Sequence, residues 1–340
     1  MPEERLLLVR LGSLGDIIHT FPAVAALRES FPDSRIVWLT HPRWAFLVKS
    51  SDLVSEIWTI ETRKMASLRE VIHRLRQNSW SAAIDYQGLW KSAVLPFLGG
   101  VTRRIGFSSA MIREFGVPIL YSDRVPSSKA HVAEQNGDLS LHAGSQRGTG
   151  RVSLQIPEQD RASVRSQLRR QDLQCYVVLS PGGGWRSKCW PPERFGALAR
   201  KLHDVGLRCV INVGPGDEGL AAALVSSGGD SKPLVLGSSL GELMALLRGA
   251  ACVVGGDTGP LHLAAALDTP VVALFGPTDP VRNGPYYSSG EASDGQKAIV
   301  LRAAGVRTTH ARDSQTHPSM LAISVDEVFA AVCRCIGVAR

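Results

Sequence analysis

Several things that this 340-residue chain lacks narrow its function before any motif is read. No run of about 18 apolar residues occurs, so no segment reads as a membrane-spanning helix. The start, Met1-Pro2-Glu3-Glu4-Arg5, is not the n-region of a signal peptide, and a cytoplasmic location is expected. The six cysteines, at 175, 189, 209, 252, 333 and 335, have no C-x-x-C spacing and no paired histidines nearby, which argues against disulfides and zinc. RNP, zinc-finger and KH signatures are missing and the basic residues are not interleaved with aromatics, so nucleic acid ranks last among partners. No Asp-x-Asp occurs, which weakens any mechanism that needs a metal to bridge a diphosphate. Neither a metal site nor a bound cofactor is expected.

What the chain has is an ordinary globular composition, 44% hydrophobic and 20% charged, at a length that suits two domains. Its net charge of +7 fits an anionic membrane face or a phosphorylated substrate as well as a nucleic acid. The organising stretch is Val253-Val254-Gly255-Gly256-Asp257-Thr258-Gly259-Pro260-Leu261-His262. An apolar run over 251–254 reads as a buried strand, breaks at two glycines, and opens a helix predicted over 261–267, with Pro260 suited to its first position. Such a helix start presents unpaired N–H groups and a positive dipole end, a socket for phosphate. The same residues also read as a capped helix end facing water.

Taken in order, the chain alternates strands and helices, as a parallel α/β sheet requires. A strand over 5–10 meets the glycine loop 11–16, whose glycines do not fit G-x-G-x-x-G and which no G-K-[ST] follows. A helix is expected over 17–30, strands over 35–39 and 82–85, and a helix over 67–76. The pattern blurs between 88 and 128, and the polar stretch 140–150 approaches the end of a first domain spanning 1–165. A second alternating set follows over 166–320: strands at 175–179, 208–213, 233–236, 251–254 and 270–275, and helices at 192–203, after 218, and at 243–248 behind the capping-box pair Ser239 and Glu242. The polar stretch 286–296 reads as a mobile surface loop and 303–319 has no readable period. A last helix, 325–336 within a closing segment 321–340, is expected to pack back on the first domain. Two Rossmann-like sheets facing a shared central cleft result, with loops at the carboxyl ends of the strands.

The residues carrying chemistry each have two readings. Asp16 completes Ser13-x-x-Asp16, a variant capping box, or is a general base in a glycine-walled loop. Lys188, in the run Gly182-Gly183-Gly184-Trp185-Arg186-Ser187-Lys188, is a solvated charge or the neutraliser of a leaving phosphate, a role that Arg186 shares. Asp257 bonds its own turn or accepts from sugar hydroxyls, and His262 is a core histidine or a donor contact. Glu218 answers a helix dipole or accepts from ribose hydroxyls. Arg63, Lys64, Lys91, Arg103 and Arg104 are solvated surface or the cradle of an anionic acceptor.

Together these motifs resemble the lipopolysaccharide heptosyltransferases, glycosyltransferase family 9. The resemblance is carried by 9–22 (Val-Arg-Leu-Gly-Ser-Leu-Gly-Asp-Ile-Ile-His-Thr-Phe-Pro), by Lys188-Cys189-Trp190-Pro191, and by 256–262 with Phe275-Gly276-Pro277-Thr278-Asp279-Pro280. It implies a GT-B fold, the acceptor bound to the first domain and the nucleotide-sugar to the second. It implies metal-independent, inverting transfer of heptose from ADP-heptose to the Kdo–lipid A core by a monomer, at the inner face of the inner membrane as a peripheral enzyme. By motif match, Asp16 is the base, Lys188 the diphosphate partner and Asp257 a sugar contact, and Thr258, Gly259, Leu261 and His262 form the phosphate end. Gly183, Gly184 and Arg186 complete the donor loop and Glu218 resembles the ribose acid. Asp85-Tyr86-Gln87-Gly88 and Arg104-Ile105-Gly106-Phe107 match the acceptor domain, where Ser13, Arg63, Lys64, Gln87, Lys91 and Arg104 are expected to contact acceptor. Cys189 and the stretch after Arg302 depart from the family pattern. The alternatives are another GT-B transferase or an epimerase, a nucleotide-binding homologue without activity, and a membrane-surface interaction module.

Overall fold

The computed structural model describes residues 4–214, 216–288, 297–309 and 314–337. It divides into two compact units, Met1–Gln155 and Ile156–Arg340. Each is built on a six-stranded parallel sheet.

In the first unit the order is β1 (Arg5–Val9), α1 (Leu14–Ile18), α2 (Phe21–Ser30), β2 (Arg35–Thr40), α3 (Ala45–Ser50), β3 (Glu56–Thr59), α4 (Met65–Arg76), β4 (Ala82–Asp85), α5 (Trp90–Leu98), β5 (Arg104–Phe107), β6 (Asp123–Val125) and α6 (Val132–Ala143). The sheet runs β3-β2-β1-β4-β5-β6, so the direction of winding reverses between β1 and β4. Strands covered on both faces must be apolar throughout. Accordingly Leu7, Leu8 and Val9 of β1 and Val37, Trp38 and Leu39 of β2 are fully buried. The single helix expected over 17–30 is two helices. Pro22 lies in the first turn of the second, where its missing N–H and its clash with the carbonyl four residues back forbid continuation of the first. The blurred stretch holds α5, β5 and β6, whose short strands carry too few residues to show a period.

The second unit contains α7 (Glu158–Arg170), β7 (Tyr176–Ser180), α8 (Pro192–Asp204), β8 (Arg208–Val213), α9 (Glu218–Gly228), β9 (Leu234–Gly237), α10 (Leu240–Arg248), β10 (Cys252–Gly256), α11 (Gly259–Ala266), β11 (Val271–Phe275), α12 (Pro280–Asn283), β12 (Ala298–Arg302), α13 (Pro318–Leu321) and α14 (Val325–Ile336). Its order, β12-β11-β10-β7-β8-β9, reverses between β7 and β10. The boundary expected at 165 lies at 155, because α7 packs on α10 and Ser163 Oγ donates to Glu242 Oε1 at 2.7 Å. The expectation for the last helix is also corrected. α14 starts on a capping box of Ser324 and Glu327, and its buried Val328, Ala331 and Val332 join the core of the second unit with α8 and β10 to β12. It therefore belongs to the unit it follows. Of the expected loop 286–296, residues 289–296 lie outside the described residues, while Tyr286 and Tyr287 are buried rather than surface. No helix among the described residues is long and apolar enough to cross a membrane.

Candidate active site

At the carboxyl end of β1, where winding reverses, the chain leaves the sheet through residues 10–13 into α1. Reversal points of this kind leave a crevice, since neighbouring connections diverge to opposite faces. Gly12 has φ +152°, and a Cβ there would stand 2.8 Å from Trp44 Nε1, so only glycine fits. Asp16, in the first turn of α1, accepts at Oδ2 from Ser13 N and Ser13 Oγ, both at 2.9 Å. Its Oδ1 lies 2.7 Å from Arg10 Nη2. The Arg10 side chain is 8% exposed and that of Asp16 45%, so a buried cation fixes a carboxylate that still faces solvent. Arg10 also donates to the carbonyl of Tyr86. The carboxylate therefore caps the helix, as the Ser13-x-x-Asp16 spacing allows, and it also remains accessible to solvent.

The loop after β4 is braced from below. Asp85 is buried, and its carboxylate accepts from Ser92 Oγ at 2.8 Å, Tyr121 OH at 2.7 Å, and the N–H groups of Gln87 and Gly88. Burial raises its pKa, against those four hydrogen bonds. The brace presents Gln87, whose Oε1 accepts from Leu11 N at 2.8 Å and ties the two loops together. Gln87 is thus a strut of the loop that bears Asp16.

The remaining acceptor candidates divide. Ser13 is exposed beside Asp16, and Arg63 and Lys91 are exposed at the carboxyl edge, while Lys64 pairs with Glu61 at 2.6 Å. Arg104 is a correction. It begins β5 at the amino edge, and its guanidinium donates to the carbonyls of Val101, Thr102 and Leu120 while lying over the Phe97 ring. A guanidinium that holds three main-chain carbonyls is a structural clamp, remote from the edge that carries Asp16. Arg103 at the same edge pairs with Asp123.

In the second unit, β7 and β10 end side by side. Gly256 lets the chain after β7 approach closely, since a Cβ there would stand 2.8 Å from Lys188 O. Lys188 Nζ reaches Asp257 Oδ2 at 2.7 Å and lies 4.4 Å from the centre of the Trp185 ring. His262 Nε2 lies 3.0 Å from Asp257 Oδ1. Burial alone would raise the Asp257 pKa, but the His262 hydrogen bond and the charges of His262 and Lys188 hold it well below the usual carboxylate range. The cluster sits against the start of α11, where Thr258 is the N-cap and its buried Oγ1 has no hydrogen-bond partner. An N-cap hydroxyl that makes no cap bond, beside unpaired N–H groups, is laid out for an incoming anion.

Leu261 is corrected in part: its side chain is fully buried, so only its main chain faces that end. In the loop after β7, Gly184 has open space around it, whereas a Cβ on Gly183 would press at 3.1 Å on both Cys189 and Thr258. Arg186 is exposed and acts electrostatically on Asp217. Glu218 opens α9 and borders a cavity of about 850 Å³ with apolar walls from Val213, Ala221, Val225 and Val235. A flat heterocycle suits such walls, with a carboxylate at hand for hydroxyls. Reading the sequence missed these walls and Arg10. It also missed that Gly214, Gly216 and Gly219 have G-x-G-x-x-G spacing directly after β8, a signal that would have located the cavity. Among the described residues no three His, Cys, Asp or Glu side chains gather as metal ligands do.

The sequence profile of glycosyltransferase family 9 (heptosyltransferase) matches residues 68–298. Lipopolysaccharide heptosyltransferase 1 of Pseudomonas aeruginosa is 29% identical over 299 residues, 84% of this chain and 82% of its own. A family 9 glycosyl transferase from Veillonella parvula superposes with a TM-score of 0.83 at 20% identity, covering 99% of this chain and 98% of that one. An E. coli heptosyltransferase solved with ADP gives 0.75 at 25% identity, covering 96% and 98%.

Proposed function

Since the chain belongs to glycosyltransferase family 9, the heptosyltransferases, we propose that it transfers heptose from ADP-heptose to the Kdo–lipid A inner core of lipopolysaccharide, with inversion and without a metal. The observation that carries this reading is the ion pair of Lys188 and Asp257 set against the start of α11. It provides a cation, free amides and an unpartnered hydroxyl in one place, which a departing diphosphate requires. A relative solved with ADP and P. aeruginosa heptosyltransferase 1 support the choice of donor and acceptor.

The reaction is a single displacement. The Asp16 carboxylate takes the proton of an acceptor hydroxyl as its oxygen bonds to the anomeric carbon from the face opposite the diphosphate. The bond from that carbon to the diphosphate oxygen breaks, and the charge that develops passes to the amides of Gly259 and Leu261 and to the Lys188 ammonium. Asp257 orients Lys188 and remains ionised while doing so, because its pKa is held low. The heterocycle lies in the Val213 to Val235 cavity with Glu218 on the ribose. The enzyme works as a monomer in the cytoplasm, on the inner face of the membrane that carries its acceptor. A panel of nucleotide-sugars, read by the mass of the product formed on a Kdo-containing acceptor, tests the reading. A heptosyl mass gain with ADP-heptose is expected. Interconversion of a donor without acceptor, or ADP binding with no transfer from any donor, overturns it.

A further inference from the structure

The first unit exposes an apolar surface that its core does not use. Helix α5 buries Ala93 and Leu95, and Ala93 packs with Val117, Leu120 and Tyr121, yet Trp90 and Phe97 are nearly half exposed. Phe115 is 99% exposed and Ile119 71%. These side chains do not sit on a loose loop. Trp90 Nε1 donates to Phe115 O at 3.2 Å, Trp90 N donates to Glu114 Oε2 at 2.7 Å, and the indole covers Gly116, where a Cβ would meet it at 3.1 Å. The turn is pinned on both sides of a ring that faces water. A fixed turn that holds a phenyl ring outward costs apolar exposure without any return in the core, and a contiguous apolar patch is the mark of an interaction surface.

The charge around it is one-sided. Near the rings the chain carries three cations, Lys91, Arg113 and Arg124, against one acid, Glu114, while at the amino edge Arg104 is held on main-chain carbonyls and Arg103 is paired with Asp123. Lys91 and Arg113 are exposed beside the rings, and Arg124 donates to the carbonyl of Pro118 at the foot of Ile119. Glu114 is bound to the main chain of Trp90, and Asp123 also to Ser122 and His142. We propose that this surface, centred on Trp90, Phe115 and Ile119, docks on the anionic headgroup layer of a lipid bilayer, with the rings entering the interface and the cations meeting the headgroups.

Amphipathic aromatics with adjacent lysine and arginine suit that layer on both counts, since rings partition into the interface and each cation near an anionic surface adds roughly fivefold to binding. A second copy presenting the same face would bring like charges together, which disfavours self-association through it. The proposal deepens the reading of a lipid-linked acceptor but does not depend on it, because it stands on exposure and charge. The carboxyl edge that bears Asp16 also bears Trp90 and Phe115, so docking there brings that edge to the membrane surface.

Sedimentation of the full chain with vesicles of about 30% phosphatidylglycerol in phosphatidylcholine tests it, beside vesicles of phosphatidylcholine alone and against Phe115→Glu/Ile119→Glu. Salt-sensitive binding to the anionic vesicles is expected, reduced at least about tenfold in the variant, with an unchanged melting temperature. Turnover on a water-soluble Kdo disaccharide is expected to be unaffected, while turnover on a vesicle-borne acceptor falls. Absence of binding by the wild type, equal binding by the variant, or an oligomer that the variant disperses overturns the proposal. Activity on the soluble acceptor distinguishes its failure from a failure of the transferase reading.

Discussion

Replacing Asp16 by asparagine separates its two roles by magnitude. The amide can keep one oxygen toward Arg10 Nη2, which lies 2.7 Å from Oδ1, and must then turn its NH2 toward Ser13. Ser13 Oγ can rotate to accept from it, but Ser13 N loses its acceptor and the Arg10 ion pair loses its negative member. Because the carboxylate is 45% exposed, water compensates part of the loss, and a cost of about 1–2 kcal/mol is expected. In a unit of this size that lowers the melting temperature by roughly 2–8 °C and leaves it folded at 25 °C. Removal of a proton-transfer group costs 10²–10⁴-fold in rate, far beyond what partial unfolding explains. Turnover of the purified variant, read as ADP released in the presence of acceptor, is therefore expected to fall at least about 100-fold, with calorimetric ADP affinity unchanged. Turnover within tenfold of wild type would show that the carboxylate only caps α1, and the mechanism would be wrong.

Further expectations follow from the other charged groups. Lys188→Gln removes the cation facing the diphosphate and should lower kcat about 10²–10³-fold, with the loss visible in single-turnover kinetics; an effect confined to KM would make Lys188 a ground-state binder only. Since the folded pKa of Asp257 lies below its ordinary value, its contribution to stability is complete above that ordinary value and is lost as pH falls from there down through the folded one. Wild type should accordingly lose melting temperature below about pH 4 more steeply than Asp257→Asn, and parallel acid profiles would refute the linkage. Arg104→Met should lower the melting temperature, because three carbonyls lose their donor, while the KM for acceptor stays within about twofold; a large rise in KM would return Arg104 to the acceptor site.

The long apolar strands were legible because burial on both faces leaves no room for polar residues, as in β1, β2, β7 and β11. β5 and β6 were not legible. At four and three residues they carry no usable period, and Arg104 at the head of β5 reads as a surface charge when it is a clamp. The helix over 17–30 failed at Pro22, a local veto that the apolar periodicity conceals. The last helix was found to the residue, but the face it packs on depends on which surface is vacant, and sequence does not encode that directly. Asp16, Lys188, Asp257 and His262 were singled out in the sequence by motif match to the family, spacing alone leaving a structural reading open for each. Their partners were not, because Arg10 acts on Asp16 across a folded loop and Lys188 meets Asp257 from 69 residues away.

The second unit divides its labour between strands. Charge is handled where β7 and β10 end, at a point where Gly256 admits no side chain without displacing Lys188. The apolar cavity is built instead from β8, α9 and β9. Under the proposed function, nucleobase preference is expected to change through Val213, Val225 and Val235 without disturbing the residues proposed to receive the leaving diphosphate. On that reading, descendants of such a scaffold are free to change the letter on the donor without relearning how to release it.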